Sequence, residues 1–489
     1  MSDLNFDYSL LIPEFILAGT AVVVIFADLF SKELRLGRIV LPAIAALGAI
    51  AAGAASLAYI DIGNGQGDNF ANVISIDNYT TFFRVIFTAV LLIVIVGGYE
   101  YVERNIRHSG EFYALLLLST IGAIYMAAAR ELLTAYISIE LLSFSLYVAV
   151  SLAKTDPRSA EAGLKYVLLG GVASAMLLYG LSLIYGTAGS TQYSEIATAF
   201  AGGTTDYTFA LLLGLVLLIA GLGFKASAVP FHMWTPDAYE GAPLPITAYL
   251  SATSKAATFA LLLRLFAGPL LPLIDDWQWM MATIAVMTMV GGNLIALQQT
   301  NIKRLLAYSS IGQVGYMLMA ITTISDASAS ALLVHVAGYL ITNLAVFSAV
   351  IAFHNRTGKE GLDDFRGLAE TNPYLAVVLT AGMFSLAGMP LLAGFVTKFI
   401  LFQAAASEGY LWLATIAVIA STISLYYYLQ VIRRMYLLEP PRGESERWRL
   451  SPAGYLATGV LTFGMLFIGL YAGPLFTLAD RAARVLQLA

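Results

Sequence analysis

Five ionisable side chains lie within stretches that are otherwise almost wholly apolar: Glu140 in YISIELLSF, Lys225 in AGLGFKASAVPF, Lys255 in YLSATSKAATF, His335 in LLVHVAGYL and Lys398 in GFVTKFILF. An ionisable group near the middle of a membrane costs about 2.5–3.5 kcal/mol on insertion scales, so such residues are normally kept there for a function. The chemistry open to them is proton transfer. A lysine has an ordinary pKa of about 10.4, too high for ready release near neutrality, but burial lowers it by several units and a nearby carboxylate restores the charged form. A Glu/Lys pair whose separation changes is therefore a proton loader, and Glu140 with Lys225 forms the candidate pair. The alternatives are a static buried ion pair for Glu140 and a structural or snorkelling role for each lysine. His335 suits a neutral-to-cationic relay, although a histidine hydrogen-bonded inside a helical core has the same sequence signature.

The elements that must hold these residues are membrane helices. Of 489 residues, 59% are hydrophobic and 12% charged, and the mean hydropathy is +0.78, a composition that belongs in a bilayer. A span needs about 20 mostly apolar residues. On that rule the chain is an all-α polytopic membrane protein of about 14 transmembrane helices, the first over 8–30 and the last over 452–474. The opening MSDLNFD lacks a basic flank, so the first apolar stretch is expected to be a retained span rather than a signal peptide. Span 7 (207–238) holds Gly221, Gly223 and Pro230, and span 12 (373–407) holds Gly388, Pro390 and Gly394. Both are too long for one crossing, and both are expected to be broken inside the membrane.

Eighteen of the 26 basic residues, from Lys32, Arg35 and Arg38 through to Arg442, Arg447 and Arg449, fall in one set of connections, whereas the opposite set holds Arg130, Arg481 and Arg484. The asymmetry puts both termini outside. Arg84 and Arg264 fall near outer ends of spans and are expected to snorkel. An offset of 172 aligns LTAYISI (133–139) with LLAYSSI (305–311), and nearly the same offset carries Lys225 to Lys398. Spans 4–8 (111–266) and 9–13 (277–436) are thereby expected to form two inverted five-helix repeats, with spans 1–3 (1–110) before them and the last span with an amphipathic interfacial tail (452–489) after them.

Formal charge is −5, which excludes a basic nucleic-acid binder, and the absence of cysteine excludes disulfides, thiolate metal sites and cysteine-ligated clusters. No phosphate-binding glycine motif is present. The segments FKASAVPFHMWTPDAYEGAPLPITAYLSATSKAA, YISIELLSFSLYVAVSL, YVLLGGVASAMLLYGLSLIYG and NIKRLLAYSSIGQVGYML together resemble the antiporter-like subunit family of proton-pumping NADH:quinone oxidoreductase, respiratory complex I. FHMWTPDAYEGAP resembles the N-type members more than the L and M types, and no long lateral helix follows span 14. The resemblance implies that Glu140, Lys225, Lys255 and Lys398 are the essential carboxylate, its paired lysine, a connecting lysine and an exit lysine, with His335 as a linking residue. It further implies no cofactor in this chain, with FMN, iron–sulfur clusters and quinone in other subunits, and other membrane-arm subunits, antiporter-like and small, as partners. A multisubunit cation/proton antiporter module and a non-pumping scaffold remain the alternatives.

Overall fold

The structure, a computed structural model, describes residues 7–30, 39–62, 68–70, 72–202, 208–441 and 446–486. Lys32, Arg35, Arg38 and Arg442 lie outside them. The helices are α1 (Ile12–Leu29), α2 (Val40–Leu57), α3 (Asn78–Asn105), α4 (Ser109–Ala128), α5 (Leu132–Val150), α6 (Pro157–Ala188), α7 (Tyr193–Ala201), α8 (Thr208–Ala226), α9 (Trp234–Gly241), α10 (Leu244–Tyr249), α11 (Lys255–Ala267), α12 (Ile274–Ala296), α13 (Ile302–Thr322), α14 (Asp326–Thr357), α15 (Leu368–Thr371), α16 (Pro373–Ala387), α17 (Ala393–Ser407), α18 (Leu411–Leu437), α19 (Pro452–Leu470) and α20 (Gly473–Ala483). Among the described residues, thirteen helices are long and apolar enough to cross a membrane. The shorter α16 and α17 follow one another over the twelfth expected span, which completes fourteen.

Local chemistry starts these helices where the sequence requires. Asp156, Asn301, Ser325, Asn372 and Ser451 each accept a hydrogen bond from a first-turn N–H of the following helix. Proline at the first position of α6, α16 and α19 needs no such partner. A short hairpin, β1 (Asp68–Phe70) with β2 (Ile74–Ile76) in the register Asp68↔Ile76, was not expected of an all-α chain.

The repeat is visible element by element. α6 and α14 are each 32 residues long, and each ends on a left-handed glycine, Gly189 and Gly358. The residue before α5, Glu131, bridges to Gln192, and the residue before α13, Asn301, bridges to Gly361. In α4 and α12, Gly122 and Gly292 lie so close to the next helix that a Cβ would come within 2.6 Å of Leu142 N and 2.7 Å of Gly312 N, respectively. The close glycines of α4 and α12 and the starts of α5 and α13 set the structural offset at 170, as in Glu131 to Asn301, and the glycine ends of α6 and α14 set it at 169, rather than the 172 of the LTAYISI match. The match slips by two residues, about 200° around a helix, because small and apolar residues recur on every side of a buried span.

One further expectation is corrected. Arg84 and Arg264 do not snorkel. Arg84 is fully buried and meets Glu14, 2% exposed, through Nε–Oε1 at 2.8 Å and Nη2–Oε2 at 2.9 Å, which ties α3 to α1. Arg264 donates to Asp77 at 3.0 Å and to Thr80 at 3.1 Å, joining α11 to the start of α3. The tail helix α20 follows the last span and packs against α14. It buries Ala479, Ala482 and Ala483 and accepts a hydrogen bond at Asp480 from Ser330, near the start of α14.

Candidate proton-transfer axis

The break in span 7 comes after Ala226, where Ser227 takes a positive φ of 70° and the chain re-enters helix at Trp234. A backbone carbonyl freed inside a membrane needs a donor. Trp234 supplies one to Phe224 O at 2.8 Å. Lys225 is the last residue but one of α8 and is 4% exposed. Its ammonium donates to Ser143 Oγ at 2.6 Å and Tyr147 OH at 3.0 Å, and lies 5.3 Å from the Tyr147 ring. Both partners are on α5, three and seven residues beyond Glu140 and therefore on its face of the helix. Glu140, half-buried, accepts from Ser174 Oγ at 2.6 Å. Glu140 and Lys225 thus belong to one cluster but form no ion pair, with Ser143 between them along α5.

Span 8 is expected as one continuous helix, yet Leu250–Ser254 is π-helical, and Lys255 follows it directly. A π turn displaces the backbone ladder and re-aims the side chains around it. Ser251 there accepts from Asn343 at 2.6 Å through its hydroxyl and from Tyr339 at 3.1 Å through its carbonyl. Lys255, 1% exposed, donates to Ser310 Oγ at 2.7 Å on α13. At the structural offset of 170, Ser310 occupies the position that Glu140 holds in the first repeat.

The break in span 12 runs from Gly388, with φ of 88°, to Ala393. Lys398 stands in the second segment, α17, whereas Lys225 stands in the first segment of its span, but the Lys398 side chain reaches back into the break. Its ammonium donates to Leu386 O at 2.7 Å and Ser421 Oγ at 3.0 Å, and lies 4.9 Å from the Tyr316 ring. Gln313 of α13 donates to the same carbonyl at 3.2 Å. Lys398 also lines a cavity of about 300 Å³ with Gly388, Phe395, Phe399 and Ser421. His335, 2% exposed, pairs its Nδ1 with Thr397 Oγ1 at 3.1 Å, beside Lys398, and its Nε2 has no partner among the described residues.

Sequence reasoning missed the hydroxyl and amide groups that connect these residues: Ser143, Tyr147 and Ser174 around Glu140, then Ser310 and Gln313 on α13, and Tyr339, Thr342 and Asn343 on α14. Their signal is helical spacing of polar residues in buried spans, as with His335, Tyr339, Thr342 and Asn343. Also missed was the task of the acidic residues in WTPDAYEG. Arg304 of α13 bridges Asp237 at 3.0 Å and Glu240 at 2.8 Å, and Lys165 of α6 bridges Asp237 at 2.9 Å. This network joins the two repeats at the side where the basic connections lie.

Fourteen spans, two of them broken, with buried lysines reaching each break, define a multi-pass membrane protein of the antiporter-like class. The chain belongs to the NADH:quinone oxidoreductase/Mrp antiporter transmembrane family, whose model matches residues 129–424. It is similar to NADH-quinone oxidoreductase subunit N of Moorella thermoacetica, with 43% identity over 408 residues, 83% of this chain and 85% of that one. A chain in the structure of respiratory complex I from Thermus thermophilus with bound aureothin is 31% identical, with a TM-score of 0.77 over 96% of this chain and all of that one, 100%. A chain of the Mrp complex from Dietzia sp. DQ12-45-1b has a TM-score of 0.85, covering 99% of this chain and 98% of that one, at 21% identity, a likeness of fold alone.

Proposed function

We propose that the chain is a proton-translocating membrane-arm subunit of an NADH:quinone oxidoreductase, moving protons through Glu140, Lys225, Lys255, His335 and Lys398 while electrons pass elsewhere in the complex. The observation that carries this reading is the state of the three lysines. Each is buried at a helix break or π turn, and each is bonded to hydroxyls or a backbone carbonyl, with no carboxylate within ion-pair distance among the described residues. A lysine so held can release its proton without abandoning a fixed countercharge. Ser227 in the first break, Thr235 and Tyr239 in α9 and Thr253 in the π turn carry buried oxygens without a hydrogen-bond partner among the described residues, available to a proton-carrying chain between Lys225 and Lys255.

In this reading protons enter from the cytoplasm toward Lys225 and Lys255, pass His335, and leave by Lys398 to the outside of a bacterial inner membrane, both termini lying on the outer side. Segments 111–266 and 277–436 act as the two repeats, 1–110 and 452–489 flank them, and neighbouring antiporter-like and small membrane subunits are the partners. FMN, iron–sulfur clusters and quinone belong to other subunits. In assembled complex in coupled vesicles, Lys225→Ala is expected to abolish most proton pumping, and Glu140→Gln to lower it. Wild-type proton-to-electron ratios in both variants would refute the relay. The family description also embraces Mrp antiporters; sodium-dependent transport without electron transfer would favour that role instead.

A further inference from the structure

On the side of the basic connections, α3, α14 and α19 converge around a groove of about 400 Å³. Arg104 is the last residue but one of α3, Arg356 the last but one of α14, and Arg449 lies three residues before α19, so all three arginines stand where spans leave the membrane. All line the groove. Arg104 donates to Asn355 O at 2.7 Å, while Arg356 and Arg449, both exposed, make no hydrogen bond or ion pair among the described residues. Glu100 is the one acidic residue in the lining, and it accepts a hydrogen bond from Tyr99 OH at 3.2 Å. The groove lining therefore carries a surplus of two positive charges, with no ion pair to Arg356 or Arg449 among the described residues. The lining also includes Gly97, Gly454, Ala457 and Trp448. Tryptophan favours the headgroup level of a membrane.

We propose that this groove is a binding site for an anionic phospholipid, its phosphate held by Arg104, Arg356 and Arg449. A guanidinium offers the planar paired donors that a phosphate oxygen accepts, and basic recesses between membrane helices at headgroup depth suit such lipids. An acidic protein segment would also meet the arginines, but their place at the membrane exits of α3 and α14, beside Trp448, favours a lipid headgroup.

The test uses the whole complex purified in mild detergent, with phosphatidylglycerol and phosphatidylcholine offered in competition and the retained lipid counted by native mass spectrometry. Wild-type complex should retain phosphatidylglycerol selectively. Arg356→Gln with Arg449→Gln should weaken that retention about tenfold, and Arg107→Gln, on an exposed arginine outside the groove, should leave it unchanged. The single variant Arg449→Gln serves where the double variant fails to assemble, with a smaller loss expected. Soluble glycerol phosphate in excess should not displace the lipid. Equal retention of the two lipids, unchanged retention in the groove variants, an equal loss in Arg107→Gln, or displacement by glycerol phosphate would each overturn the proposal.

Discussion

The rim and the axis of the molecule bury cations in opposite ways. At the rim, Arg84 and Arg264 are held by carboxylates, Glu14 and Asp77, with two or more charge-assisted hydrogen bonds each. Along the axis, Lys225, Lys255 and Lys398 are as deeply buried but rest on Ser143, Tyr147, Ser310, Ser421 and the carbonyl of Leu386. The residue types match the task. A guanidinium stays protonated at every relevant pH and suits a permanent staple between helices, whereas an ammonium shifts readily when buried and can serve as a carrier. A carboxylate partner fixes charge in place, but a hydroxyl can donate or accept and tolerates either protonation state. Within the axis, only the first repeat retains a carboxylate at the site, Glu140. At the equivalent position the second repeat has Ser310, so in the proposed relay charge switching would be concentrated at one end.

The largest effect should come from breaking a staple. Arg84→Met leaves Glu14 buried without a partner and should destabilise the fold by about 3–5 kcal/mol. The yield and melting temperature of assembled complex report it. Glu14→Met combined with Arg84→Met should recover most of the loss, because an apolar pair of similar volume needs no countercharge. A single variant as stable as wild type would mean that the pair is not holding α1 to α3.

The same contrast predicts a different failure on the axis. Lys255→Arg keeps the positive charge but replaces it with one that does not leave. Assembly should persist, while proton flux should fall by about a hundredfold, the lower range of what a positioned acid–base group contributes. Arg84→Lys, by comparison, should keep pumping intact. Normal pumping by Lys255→Arg would show that this position needs only a charge.

Much of this arrangement was legible in the sequence because membranes impose severe rules. The spans follow from length and apolarity, and the two breaks follow from Gly388, Pro390 and Gly394 in one span and Gly221, Gly223 and Pro230 in the other. The π turn before Lys255 was not legible, since YLSATSKAATF contains no residue that stops an α-helix. Its backbone is redirected by partners 88 and 92 positions away, Tyr339 and Asn343. Arg84 was misjudged for a related reason. Distance from the end of a span suggests snorkelling, but the carboxylate that keeps the side chain inside comes from another helix, 70 residues earlier. The repeat was detected from a local match in the wrong register, and caps, bridges and close glycine contacts were needed to correct it.

The smallest effect, and the sharpest test of the difference between repeats, belongs to Lys398. Lys398→Ala removes the titratable group yet leaves the break supported, because Gln313 still donates to Leu386 O. The complex should therefore assemble, and turnover in coupled membranes should drop several-fold for want of an acid–base group at this site. Lys398→Glu should be milder. Facing a backbone carbonyl, a glutamic acid in its neutral form can donate where the ammonium did, and it can still load and release a proton into the adjoining cavity. The hydroxyl of Ser421 is available to either form. Lys225→Glu should gain no such tolerance, because it would place a second carboxylate in the cluster that already contains Glu140, and like charges there oppose one another. Proton-to-electron ratios measured for the three variants side by side decide the matter. If Lys398→Glu is as inactive as Lys398→Ala in assembled complex, or if Lys225→Glu is equally well tolerated, the two breaks do not divide the work of loading and release between them.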